Sequence, residues 1–370
     1  MISLVRDIIR EPPTVPGRKE RQHPMQTENK PAGRTAYFDY LRVFATLSVI
    51  FLHAAAQNWY GIDVKGSLWQ TFNFYDSISR WGVPVFVMIS GALFLSRDIP
   101  IKLIYKKYIR RLLIAFAFWS FFYMLFDKAD LHTRIIIFVK GHYHMWYILM
   151  IIGLYICLPL IRPIAENRNR TLYYLALVFV FAFAIPQFEK LMTDFGRIWM
   201  ARGAAAFSHD ASNMNMHMVL GYAGYFVLGN YLNKISLKKW QRMVIYVLGF
   251  LGFYLTVKLT LIASLKAEKA LENYYGHFTI TVLLESLSVF TLFKYTKFRE
   301  NKLITALSNY SFGAYLVHVF FIDLLNQFGL NTRTFNPVLS VPCITLIAAV
   351  LSYIVSAILN HIPGLKKNIV

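Results

Sequence analysis

Two side chains with acid–base chemistry stand in one apolar run. Arg42 and His53 lie eleven residues apart, separated almost wholly by aliphatic and aromatic side chains. On a helix that spacing is three turns plus about 20°, with a rise of about 16 Å, so the two share a face. A guanidinium can hold phosphate through its planar fork of donors. An imidazole titrates near neutral pH and can take a proton from a hydroxyl. Asp39, three residues before Arg42, can pair with it. The plainer alternative is that Arg42 reaches to lipid head groups and His53 packs as a hydrogen-bonded core residue.

Four further stretches carry polar or small residues. The basic run Lys102–Arg111 ends in Arg110 and Arg111, and suits either anionic lipid or a bound phosphate. Pro84, Ser90, Gly91 and Ala92 allow close helix contact or local unwinding. His142, His144, Trp146 and Tyr147 precede an apolar segment where aromatic belts are expected. The two histidines are two apart, a spacing that on a helix does not converge on one metal, so no metal site is expected. Ser311, Tyr315 and His318 form a polar stripe that suits either interhelical hydrogen bonding or a cavity wall. Lys258 and Glu285, also in apolar runs, are candidates to pair with each other.

These residues need helices to position them. The chain has 370 residues, of which 56% are hydrophobic and 16% charged, with a net charge of +20. A water-facing surface needs more charge than that. The positive charge could suggest nucleic acid, but it sits in short segments between apolar runs, as in membrane proteins. No nucleic-acid partner is expected. The reading is an all-α, polytopic integral membrane protein with about ten transmembrane helices. The spans are expected at 36–56, 78–96, 112–126, 144–161, 171–185, 216–233, 243–264, 276–293, 303–327 and 338–359. Of the 39 Lys and Arg, 26 fall in alternate connecting segments beginning with the N-terminal one, 10 in the others, and three inside spans. The rule that positive loops face the cytoplasm then puts both termini there. Residues 1–35, rich in Pro and Arg, read as a disordered basic cytoplasmic tail, 36–360 as one membrane domain, and 361–370 as a short cytoplasmic tail. Cys157 and Cys343 lie inside apolar runs and read as small packing residues.

The stretches above, in this order, resemble the membrane acyltransferase-3 family. Phe38-Asp39-Tyr40-Leu41-Arg42 with His53 is similar to its first-helix signature, and Val83 to Gly91 to its second. Tyr108-Ile109-Arg110-Arg111 resembles its basic third-helix entrance. His144-Met145-Trp146-Tyr147 and Tyr315-Leu316-Val317-His318 resemble its later aromatic and Tyr/His motifs. The pair of adjacent arginines departs from a wider-spaced family pattern, which leaves the partner of Arg110 open. The resemblance implies an O-acyltransferase of the plasma membrane that modifies surface polysaccharides. Acyl-coenzyme A, acetyl-CoA first, would be the donor substrate and a glycan hydroxyl the acceptor, with no permanently bound cofactor. It further implies His53, Arg42 and Asp39 as catalytic, and Arg42, Arg110, Arg111, Ser90 and Gly91 as donor-binding. His144, Trp146, Tyr147, Tyr315 and His318 would meet the acceptor. The lipid bilayer is the remaining partner, and assembly into a homo-oligomer stays open. A transporter or flippase of a glycan intermediate, or a sensor or scaffold, are the competing readings.

Overall fold

Long apolar runs punctuated by Asn, Thr and Pro fold as helices wherever the sequence places them. The computed structural model describes residues 35–128, 130–214, 220–365 and 369. The expected tail at 1–35 lies outside the described residues apart from Thr35. Among the described residues the regular secondary structure is helix, without strands. The helices are α1 Ala36–Ala56, α2 Ser67–Ser77, α3 Gly82–Phe94, α4 Ile101–Phe126, α5 Leu131–Lys140, α6 Trp146–Ile156 and α7 Leu158–Glu166. They continue with α8 Arg168–Phe195, α9 Ile198–Asn213, α10 Tyr222–Lys234, α11 Lys239–Ala267, α12 Ile280–Tyr295, α13 Lys302–Gln327 and α14 Pro337–His361.

Side-chain caps set several starts, each satisfying backbone N–H groups that have no intrahelical acceptor. Asn167 caps α8, Thr279 caps α12, Asn301 caps α13, and Asn336 caps α14 with Pro337 in its first turn. Among the described residues, each of the ten expected spans overlaps a helix. Seven segments among the described residues, however, are long and apolar enough to cross a bilayer: Ala36–Ala56, Ser67–Phe94, Ile101–Phe126, Leu131–Ile156, Arg168–Phe195, Lys239–Ala267 and Pro337–His361. The difference from ten has physical causes. The helices α10 and α12 have 13 and 16 residues, shorter than a straight crossing needs, and α13 carries a polar stripe. Two spans expected to be short extend outward, to 101–126 and 168–195, because their flanking Lys and Arg residues are themselves helical.

The connections sort into two groups by their contacts. In one, Tyr37 donates to Asn233 at 2.6 Å, Arg162 pairs with Asp98 at 2.8 Å, and Lys234 donates to the Ala165 carbonyl at 3.2 Å. In the other, Asn58 donates to Thr332 at 2.9 Å, Lys65 pairs with Glu268 at 2.9 Å, and Lys266 donates to the Asp194 carbonyl at 2.5 Å.

The core of the bundle sits where α1, α3, α10 and α13 meet. The crossing of α3 and α10 is close enough to demand glycine. A Cβ on Gly91 would lie 1.7 Å from the Phe226 carbonyl oxygen, and one on Gly229 would lie 2.0 Å from that of Met88. Cys157 and Cys343 are exposed on the helix surface rather than packed inside, so the packing role expected of them does not hold.

Candidate active site

The first half of the site is built on the N-terminal turns of α1. Asp39 is buried, and a buried carboxylate needs partners. Ser308 of α13 donates to its Oδ1 at 2.7 Å, and the Arg42 guanidinium lies 3.8 Å from the same atom. The rest of Arg42 faces a cavity of about 380 Å³. Polar groups from four helices join Arg42 in its wall: Ser90 of α3, Arg111 of α4, Tyr147 and Tyr155 of α6, and Tyr315 of α13. Phe86, Phe94, Ile151 and Phe312 supply an apolar remainder. Arg111 points there because α4 is not uniform. Residues Ile104–Ile109 form a π-helical stretch, which adds a residue to the turn and rotates everything after it. The guanidinium of Arg111 lies 5.8 Å from the centre of the Phe312 ring.

The second half is a cluster of imidazoles. His53 on α1 has its ring centroid 5.1 Å from that of His318 on α13 and 6.4 Å from that of His144. Tyr143 sits edge-on to His53 at 5.5 Å. His142 and His144 are held by a 3-10 turn, Tyr143–Met145, and their Nδ1 atoms are 3.0 Å apart. Tyr315 ties the halves together. It lines the cavity, donates to the His144 carbonyl at 2.5 Å, and lies three residues before His318 on the same helix. Tyr147 and Tyr315 meet edge-on at 5.7 Å where the cavity abuts the cluster. The arrangement provides two cations beside a cavity and proton-accepting groups beyond its aromatic end. Among the described residues no group of three or more His, Cys, Asp or Glu is arranged to hold a metal ion.

The profile of the acyltransferase-3 family, described as an acyltransferase domain, matches residues 35–360. The chain belongs to the acyltransferase-3 family. It is thereby a multi-pass membrane protein of an acyltransferase family. No curated protein and no solved structure matches it.

Within the acyltransferase-3 domain the expected site residues divide. Arg42, Arg111, Ser90, Tyr147 and Tyr315 meet at the cavity, with Asp39 behind Arg42. His53, His144 and His318 meet in the cluster. His53 is not in the cavity wall itself; Val49, one turn before it, is. Three residues stand apart. Arg110 is exposed and, about 100° round the helix from Arg111, is not in the cavity wall. Gly91 faces the Phe226 backbone of α10. Trp146 stacks on His277 at 5.7 Å and lies 5.6 Å from Tyr222, away from the cavity wall. Two expectations are corrected. His142 and His144 do converge, because the 3-10 turn replaces the helix assumed for them. Lys258 and Glu285 do not pair. Glu285 is buried and accepts from Thr256 of α11 at 3.0 Å, whereas Lys258, two residues on, leaves the opposite face and is exposed.

The sequence reading missed one largely buried ion pair, Asp76–Arg80. Arg80 also lies with its guanidinium 4.0 Å over the Tyr275 ring, and Tyr275 donates in turn to Asn73. The signal was present: an acid and an arginine four residues apart in an apolar stretch are one helical turn apart and can pair. Tyr123 also backs the cluster, its ring stacked on that of His142 with centroids 4.3 Å apart.

Proposed function

We propose that this acyltransferase-3 protein moves an acyl group, acetyl first, from cytoplasmic acyl-coenzyme A to a hydroxyl of a cell-surface glycan or its precursor. The observation that carries this reading is one cavity with arginines from two helices at its wall, joined through Tyr315 to the imidazoles beyond. Arg42 and Arg111 are the groups to hold the donor's phosphates, Arg42 being braced by Asp39 and Ser308. The pantetheine arm would occupy the aromatic and aliphatic wall, bringing the thioester to Tyr147 and Tyr315. His53 takes the proton of the acceptor hydroxyl as its oxygen attacks the thioester carbon; the carbon–sulfur bond breaks and coenzyme A leaves as the thiol.

This reading takes the protein to lie in the plasma membrane with ten crossings and both termini in the cytoplasm. Two observations support the orientation: the two contact groups of connecting segments, and the excess of Lys and Arg, 26 against 10, in alternate segments. It places the arginine end of the cavity inside, where acyl-coenzyme A is made.

The test uses membranes from cells expressing the chain, supplied with radiolabelled acetyl-CoA or succinyl-CoA. The wild type is expected to transfer label to the polysaccharide fraction. His53→Ala is expected to insert normally and lose the transfer by about 10²- to 10⁴-fold. A fully active His53→Ala protein would remove the general base from the scheme. Polysaccharide that crosses the membrane without acquiring label would replace the enzyme by a transporter. Mass spectrometry of surface glycans with and without the chain identifies the group transferred.

A further inference from the structure

The hydrogen bonds of the imidazole cluster assign its protons. The Nε2 of His144 lies 3.2 Å from the Leu316 carbonyl oxygen, which can only accept, so this nitrogen carries the hydrogen. In the neutral ring Nδ1 is then the acceptor. His142, whose Nδ1 is 3.0 Å away, is the donor to it. Both nitrogens of His144 are used. In His318 the order is reversed. Its Nδ1 lies 2.5 Å from the Tyr315 carbonyl oxygen three residues back and so carries the hydrogen. That leaves Nε2 of neutral His318 with a bare lone pair, in a fully buried residue, without a hydrogen-bond partner. A buried acceptor left in this state carries a desolvation cost, which selection tolerates where the atom is used.

The imidazoles nearest His318 are His53, at 5.1 Å between centroids, and His144, at 5.3 Å. His144 is already satisfied on both sides. We infer that the bare Nε2 of His318 is the proton partner of His53, directly or through a hydroxyl lodged between them, so that the two imidazoles work as a pair. The inference rests on the proposed acyl transfer. The acceptor hydroxyl gives its proton to one nitrogen of His53, and the hydrogen on the other nitrogen of His53 passes to Nε2 of His318. The oxygen–carbon bond forms, the carbon–sulfur bond breaks, and the proton returns through His53 to the departing sulfur. The Tyr315 carbonyl stabilises the transient imidazolium of His318 through its Nδ1 hydrogen. His318 is a positioning residue: it acts on the substrate through His53. The other titratable and charged groups around the pair include Tyr143, His142 and His144 of the turn, Tyr123 of α4, Tyr315, and Arg80, whose charge reaches His53.

His318→Gln keeps a hydrogen-bonding side chain of similar size that cannot carry a proton at neutral pH. With whichever of acetyl-CoA or succinyl-CoA the wild type turns over faster, His318→Gln is expected to lower kcat about 10²-fold with donor KM unchanged. Placed on His53→Ala, it is expected to cost nothing more, because the two act as one unit. A wild-type kcat for His318→Gln, or a loss confined to KM, overturns the inference. If the variant does not fold, single-turnover transfer by the wild type in mixtures of light and heavy water decides: two protons in flight bend the rate against deuterium fraction, and a straight line overturns the pair. An active His318→Gln beside a dead His53→Ala refutes only the pairing, full activity in both also removes His53 as the general base, and a wild type that transfers no acyl group refutes the proposed acyl transfer itself.

Discussion

Two guanidinium centres stand in this membrane domain in opposite surroundings. Arg80, in the turn before α3, is closed in: Asp76 pairs with it, the Tyr275 ring lies against it, and 13% of its side chain is exposed. Arg42, on α1, is braced from behind by Asp39 at 3.8 Å but opens on its other side into the cavity that Arg111 also lines, with 32% of its side chain exposed. Both arginines bear the same charge in the same kind of helix bundle. The difference is whether the protein's own groups close round the cation or leave one side of it open to a cavity. A cation enclosed by its own partners holds helices in register; a cation facing a cavity beside a second cation is placed for an anionic ligand.

Three substitutions break or sharpen that contrast. Asp76→Ala leaves Arg80 buried without its carboxylate and is expected to cost about 3–5 kcal/mol of stability, read as a lower unfolding midpoint in detergent. An unchanged midpoint would mean that Arg80 is not locked after all, and the contrast with Arg42 would disappear. Arg42→Ala removes charged hydrogen bonds to the donor that the proposed function needs, worth about 1.5–3 kcal/mol. It is expected to raise the donor KM roughly ten- to a hundredfold by that energy, while the midpoint falls less than in Asp76→Ala. The reverse pattern, a large loss of stability with KM intact, would make Arg42 another structural ion. Lys65→Ala calibrates both. The Lys65–Glu268 pair is 60% and 74% exposed, so its loss is expected to cost about 0.2–1 kcal/mol and leave KM alone.

The sequence was legible where one helix decides the matter. Helix α1 spans the residues expected of the first span, 36–56, and α13 begins one residue before the expected 303. The polar stripe of Ser311, Tyr315 and His318 is on one helix, as its spacing required, and all three are buried. Legibility ended where backbone hydrogen bonding slips. Adjacent Arg110 and Arg111 differ by about 100° on any helix, but which of them faces inward depends on the π-helical stretch before them. The 3-10 turn at Tyr143–Met145 likewise brings His142 and His144 together against a simple helical reading. Neither distortion has a periodicity that composition reveals.

By itself the sequence determined that the chain is helical and belongs in a bilayer, because apolar runs of that length have no other stable solvent, and it determined that Arg42 and His53 share a face, because helical geometry is local. The tertiary structure decided which charges are satisfied from within and which face open space. It also decided that His318, rather than His144, keeps a bare nitrogen beside His53. His318 meets a carbonyl of its own helix, three residues back, but His144 is satisfied only because its 3-10 turn packs against α13 and meets the Leu316 carbonyl, and a contact between residues so far apart in the chain leaves no mark on the spacing of either.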